Sequence, residues 1–233
     1  MNFSRKIWHM SGILIPAALY LDIFSGFSGF CQDTRIILAS ILGVFLVFNA
    51  VIDIIRLSHA PSGEFIWKYL GFLMKSDEKN RINGIIPYMV SNILMILFVQ
   101  EEIAVLSIIY LVICDPFAAF SGYLFGKTRL VNGRTLEGTV GFVVTGLVAA
   151  ILVYLFNGKG YYEAGFFPFI IMAAAGVIAA AVTELYSRTM LNGFVDDNLL
   201  IPVVSSAVMI LVSVLSGRGI GDLVISLAEL LSC

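Results

Sequence analysis

The chain has 233 residues, of which 59% are hydrophobic and 13% charged, and its mean hydropathy is +0.96. Soluble domains carry about 25% charged residues, so a soluble globular protein is excluded. A net charge of −2 and a pI near 5.6 leave no basic field for nucleic acid, and they throw the weight onto where individual charges sit.

Spans of about 20 residues with short connections predict a single integral membrane domain over residues 1–233, an all-α polytopic helical bundle. Seven apolar segments stand out in chain order: Ile7–Phe24, Ile36–Ile55, Ile82–Val99, Ile103–Phe125, Thr139–Phe156, Phe167–Leu185 and Leu199–Leu215. The basic start before the first segment imitates a signal peptide, but no small-residue cleavage site follows, so it is read as a retained span.

Eleven Lys and Arg residues fall on the side of the N-terminus and the longer polar loops, against Arg35, Lys159 and Arg218 on the other. The positive-inside rule therefore predicts a cytoplasmic N-terminus. At the first span Arg5, Lys6 and His9 stand at the boundary, with Arg5 and His9 on one helical face. Asp53 and Arg56 end the second span at i, i+3 spacing, as an ion pair or a topology anchor. The following GEFIWKYLGFLMK mixes lysines with aromatic and aliphatic clusters, which predicts an amphipathic helix at the interface.

In the fourth segment Cys114-Asp115-Pro116 follows eleven uncharged residues, Ile103 to Ile113. Rising 1.5 Å per residue from Ile103, the chain reaches Asp115 after roughly 18 Å, inside the hydrocarbon slab. A carboxylate there costs about 2.5–3.5 kcal/mol unless a cation, a metal or water meets it. Pro116 removes a backbone donor and disfavours helical geometry at Asp115, which predicts a broken fourth helix beside a wet, cytoplasm-facing cavity. The bland alternative is a kinked helix whose acid pairs with a structural base.

Next, GKTRLVNGRTLEGTVGF sets Lys127, Arg129 and Arg134 beside Thr135, Gly138 and Thr139 at a helix start, where free N–H groups and the helix dipole attract phosphate. Topology alone also explains the basic residues, but not Glu137. The GKT is no P-loop, because the first glycine of that motif falls at Ser121 and a membrane helix precedes it. Glu184 ends the sixth span, and Asp196-Asp197-Asn198 open the seventh. An N-cap accounts for one residue of that triplet but hardly for two charges and an amide. Acids beside a basic phosphate loop suit a divalent cation bridging a nucleotide.

The tail from Gly219 to Cys233 carries Asp222 and Glu229 on one face, as an interfacial helix or a short eighth segment. Cys31, Cys114 and Cys233 have neither disulfide nor zinc spacing and are given packing roles.

Taken in order, RKxxH at Arg5–His9, DPFAAFSGYLFGK at Asp115–Lys127, RTLEGTVGF at Arg134–Phe142, Glu184, and DDNLLIP at Asp196–Pro202 resemble the CTP-dependent lipid kinase family. That family includes dolichol, phytol and CTP-dependent diacylglycerol kinases and is related more distantly to phosphatidate cytidylyltransferase. The stretch from Asp53 through Glu78 to Asn83-Gly84 is similar to the diacylglycerol kinase branch. The chain departs from the family where relatives read GDxxA and KSxEGS; here these are Cys114-Asp115-Pro116 and Arg134-Thr135-Leu136-Glu137-Gly138-Thr139.

The resemblance implies transfer of the γ-phosphate of CTP to the hydroxyl of a membrane lipid alcohol, diacylglycerol or a polyprenol, in the bilayer. It implies a divalent cation, Mg2+ with Ca2+ or Mn2+ as alternatives, held by Asp115 and Asp197 with Asp196 or Glu184. Lys127 and Arg134 would neutralise phosphates, Thr135, Gly138, Thr139 and Asn198 would bind the nucleotide, and Glu137 would be the base. Arg5, Lys6, His9, Asp53, Arg56 and Asn83 would support the lipid side. Two rival classes are a phosphatidate cytidylyltransferase and a transporter using the intramembrane acid as its ion site. Oligomeric state is left open.

Overall fold

A computed structural model describes residues 9–27, 32–156 and 165–231. Arg5 and Lys6 lie outside the described residues. The helices are α1 (Leu14–Tyr20, entered through a 3-10 turn at Ser11–Ile13), α2 (Asp33–Ser58), α3 (Ala60–Leu70), α4 (Ile85–Phe98), α5 (Glu101–Ile109), α6 (Asp115–Phe125), α7 (Leu136–Leu155), α8 (Phe166–Tyr186), α9 (Asp197–Leu215) and α10 (Leu227–Leu231). Among the described residues there is no strand, and the protein is an all-α membrane protein.

Five helices are long and apolar enough to cross a membrane: α2, the continuous Glu101–Phe125, α7, α8 and α9. The first and third predicted spans appear as the shorter apolar helices Ser11–Tyr20 and Ile85–Phe98. The Glu101–Phe125 rod is central, with 72% of its apolar window buried against 17–39% for the other four. It packs on α1, α7 and α9, while α8 lies along α9 and α7. The faces turned outward are apolar, as on α2 (Val44, Val47, Phe48, Val51) and α7 (Val140, Val144, Val148), which is how a helix meets lipid.

The predicted break at Asp115 is corrected. Asp115 is α-helical (φ −62°, ψ −46°), and the irregularity lies one turn earlier, where Tyr110–Cys114 is π-wound and joins α5 to α6 without interruption. Pro116 has no N–H for the carbonyl four residues back, and the wider turn upstream absorbs that loss without breaking the rod. Pro202 inside α9 has the same deficit. There the Asn198 carbonyl left without its helical donor accepts from Ser91 Oγ at 2.9 Å, which ties α4 to α9.

Alternating helix directions bring the C-terminus of α2 and the N-termini of α4, α7 and α9 to one end of the bundle, with the C-terminus of α8. Two Asn-Gly turns feed helix starts there: Asn132-Gly133 before α7 and Asn192-Gly193 before α9, all four residues with positive φ. Asn132 Nδ2 donates to Leu185 O at 3.1 Å, and Asn192 O accepts from Ile82 N at 3.0 Å, so each turn is fastened to a neighbouring segment.

At the opposite end, Arg35 donates to the carbonyls of Ile96 and Val99, and Arg218 pairs with Glu102 at 2.9 Å. The described part of the tail is not a spanning helix. It pairs backbone to backbone with the α4–α5 junction, through Ile225 N to Phe98 O at 2.9 Å and Gln100 N to Leu223 O at 3.0 Å.

Candidate functional site

Two cavities meet at the end of the bundle where these helix termini gather. The first, about 500 Å³, is lined by glycines and small residues of α6 and the α7 start (Gly122, Gly126, Gly133, Thr135, Gly138, Thr139) together with Arg129, Arg134 and Glu184. The second, about 600 Å³, has a polar end at Lys75, Asp115, Asp197 and Asn198 and apolar walls from α1, α2 and α4 that include Leu14, Leu42 and Phe45. Ala119 and Arg134 line both.

The close packing of α6 on α7 shapes the first cavity. A methyl group at Gly122 would stand 2.7 Å from Thr135 Oγ1, and one at Gly138 would stand 2.8 Å from Ala118 O, so only glycine admits this approach. Thr135 caps α7, its Oγ1 accepting from Gly138 N at 3.1 Å.

The predicted cradle of free N–H groups is corrected at this point. Leu136 N donates to Thr128 O at 3.0 Å, and Thr139 N donates to Thr135 O at 3.0 Å, so the chain itself already takes up much of the helix start. The cavity offers an anion the helix dipole and two guanidinium groups, Arg129 and Arg134.

Arg134 is the hub. It bonds Glu184 at 2.6 Å on the last turn of α8 and approaches Asp197 at 3.5 Å. Burial alone would lower its pKa. Glu184, then Asp115 and Asp197, more than reverse this and raise it, so Arg134 stays charged. Asp197 also meets Lys75 at 3.2 Å. Asp115, 7% exposed, faces the second cavity rather than acyl chains and lies within electrostatic range of both Arg134 and Asp197.

The Asp-Asp-Asn triplet divides its work. Asp196 is the N-cap of α9, accepting from Asn198 N at 3.0 Å and Leu199 N at 3.3 Å. Burial, and then the neighbouring Asp197 carboxylate, push it up to about 7. Asp197 is thereby left facing the cations. Asn198 Nδ2 bridges Asp196 and the Gly84 carbonyl.

The Asp53–Arg56 pair is a buried clamp. Asp53 bonds Arg56 at 2.8 Å and accepts from Asn83 N at 2.7 Å, while Arg56 donates to the carbonyls of Glu78, Lys79 and Arg81. It fastens the loop that delivers Lys75, Glu78, Asn83 and Gly84 to the second cavity. His9 lines that cavity too.

Two predicted residues stand apart from these groups. Lys127 is exposed and lines neither cavity. The Glu137 carboxylate accepts from Thr128 N at 3.2 Å, which holds the turn before α7 rather than facing an acceptor hydroxyl. Lys75 and Tyr88 were missed as site residues. Lys75 read in sequence as a topology charge, and nothing in the sequence set Tyr88 apart from its span.

Among the described residues no three carboxylate, imidazole or thiolate groups stand together as a ready cation cage. Asp115 and Asp197 nevertheless both line the second cavity and lie within electrostatic range of one another. Two carboxylates completed by substrate phosphates is a donor set that suits Mg2+.

No protein-family model matches the chain, and no solved structure does. CTP-dependent diacylglycerol kinase 1 of Schizosaccharomyces pombe is 29% identical over 174 residues, 69% of this chain and 74% of that one. Its namesake in Eremothecium gossypii is 26% identical over 220 residues, 88% of this chain and 65% of that protein. Relatives named CTP-dependent diacylglycerol kinase, at 22–29% identity over most of the chain, support a place for it in the CTP-dependent lipid kinase family. An uncharacterized protein of Rickettsia prowazekii is 29% identical over 202 residues, 85% of this chain and 88% of that one. The sequence features that resemble this kinase family include Asp115, Arg134, Thr135, Gly138, Asp197 and Asn198, and each of these lines one or both cavities.

Proposed function

We propose that the protein transfers the γ-phosphate of CTP to the hydroxyl of a membrane diacylglycerol, with the reaction on the cytoplasmic side. The observation that carries this reading is the junction itself: a small, arginine-bearing cavity and an apolar-walled cavity share Arg134 and Ala119 as their common wall. Phosphoryl transfer through a loose transition state asks a protein chiefly for positioning and charge neutralisation.

The nucleotide's phosphates would lie against Arg129 and Arg134, with Thr135 and Thr139 beside them. The acceptor would enter from the bilayer past Phe45 and Phe48, which line the second cavity and sit on the exposed apolar face of α2. Its hydroxyl would then rest at the polar end with Asp115, Lys75 and Asp197. Asp115 and Asp197 would hold a divalent cation, Mg2+ by the donor set, which supplies further charge neutralisation on the phosphates. Lys75 and Arg134 fix the Asp197 carboxylate from two sides. The names of the Schizosaccharomyces and Eremothecium relatives favour diacylglycerol as the alcohol and CTP as the donor.

The test is purified protein in lipid micelles with diacylglycerol and CTP labelled separately at the α or γ position. Label from γ in the lipid supports the kinase, label from α makes it a cytidylyltransferase, and label from neither removes both.

A further inference from the structure

The inward face of α2 carries the buried residues Leu38, Leu42, Asp53 and Arg56. Two positions complete that face between Leu42 and Asp53, and both, Phe45 and Asn49, are left partly open. Both line the second cavity, which therefore cuts into the packed side of the helix at this level. Val47 and Val51, two residues to either side of Asn49, stand on the opposite, outward face. Asn49 is the only amide side chain in the apolar run Ile36–Ile55.

That amide is only partly used. Its Nδ2 donates to the Phe45 carbonyl at 2.8 Å, and no other hydrogen bond of the Asn49 side chain occurs among the described residues. One N–H and the Oδ1 acceptor are left for whatever occupies the cavity. An amide in an apolar span is costly unless a polar partner meets it, and leucine would fill the same place at no such cost. An asparagine here is explained by a polar atom of the occupant.

Contacts on both sides fix where along the cavity Asn49 stands. One turn further along α2, Asp53 accepts from Asn83 N at 2.7 Å, and Asn83 and Gly84 line the polar end, where Gly84 O accepts from Asn198 Nδ2 at 3.3 Å. One turn back, Phe45 belongs to the apolar wall with Leu42. A lipid with its hydroxyl among Asp115, Lys75 and Asp197 and its chains along Phe45 therefore passes Asn49 with the atoms that join the two. In a diacylglycerol those atoms include the ester carbonyls, which are good acceptors. In a polyprenol they are hydrocarbon, and the amide would stay unsatisfied.

We infer that Asn49 is a specificity-determining residue of the lipid cavity, whose spare N–H donates to an ester carbonyl of the acceptor and so favours acylated glycerol over lipid alcohols that carry no carbonyl between hydroxyl and chains. This rests on the kinase reading above.

The test compares 1,2-diacylglycerol with its 1,2-dialkyl ether analogue of matched chains, in wild-type protein and in Asn49→Leu, by transfer of label from the γ position of CTP. The wild type should favour the ester about tenfold in kcat/KM, as one hydrogen bond to a good acceptor gives. Asn49→Leu makes an apolar span more apolar, so the variant should insert as well as the wild type. It should bring the two lipids to within about twofold by losing ester activity, with the KM for CTP unchanged. A preference that survives Asn49→Leu overturns the inference, as does an equal loss on both lipids, which would mark a role in packing or in helix association. The wild-type comparison stands without the variant: equal use of ester and ether removes this inference alone, whereas no label in either lipid removes the kinase reading and this inference with it.

Discussion

Arg134, two residues before α7, bonds Glu184 on the last turn of α8 at 2.6 Å, and the Glu184 side chain is only 3% exposed. Glu184 is thus the buried partner that aims a guanidinium at both cavities. Changing Glu184→Gln keeps the volume and removes the charge that orients Arg134. Turnover should fall about 10- to 100-fold while the protein still inserts and purifies, and the KM for CTP should rise. Arg134→Lys should not rescue function, because one ammonium cannot hold Glu184 and Asp197 together. Steady-state kinetics with labelled CTP measure both.

Lys75 and Asp197 act as a pair at 3.2 Å. Lys75→Met and Asp197→Asn should each reduce turnover, and the double variant should be barely worse than the worse single one. Groups that act as a unit are strongly non-additive. Simple multiplication of the two losses would show that Lys75 acts elsewhere.

Asp53 and Arg56 should matter for stability first. Arg56→Ala leaves the buried Asp53 carboxylate without its cation and frees the loop that carries Lys75. The expected cost is about 3–5 kcal/mol, as for breaking a buried pair on one side. Thermal unfolding in detergent reads it as a large fall in Tm.

Glu137→Gln separates an anchoring role from a catalytic one. The side chain bonds Thr128 N, and a glutamine oxygen can accept the same bond. Turnover should therefore stay within a few-fold of wild type, and a loss of a thousandfold would restore Glu137 as the base.

Much of the site was legible wherever a residue violated the rules of its surroundings. Asp115 inside an apolar run, and two acids where one N-cap would do, both signalled chemistry, and the structure sets Asp115 and Asp197 within electrostatic range of one another. Gly138 read as part of a phosphate loop, but its close approach to Ala118 is a packing fact that no local pattern carries. Lys75 was hidden because a lysine in a loop expected on the positive side is already explained by topology, and its partner is 122 residues away. The helix break was misplaced because Pro116 restricts its neighbour locally, whereas the π turn at Tyr110–Cys114 spreads the adjustment upstream. The third span starts later than its apolar run because Ile82–Gly84 form a turn before α4, and the first ends earlier because residues 21–24 form turns after α1.

The central claim is that Asp115 sits where CTP phosphate and lipid hydroxyl meet. Its most direct test is γ-phosphoryl transfer from CTP to diacylglycerol by Asp115→Asn, compared with wild type over a Mg2+ titration in protein shown to be folded by its unfolding temperature. The account predicts a loss of at least about a hundredfold with the fold intact, of the size seen when a group stabilising transition-state charge is removed. A folded variant that turns over at the wild-type rate contradicts it.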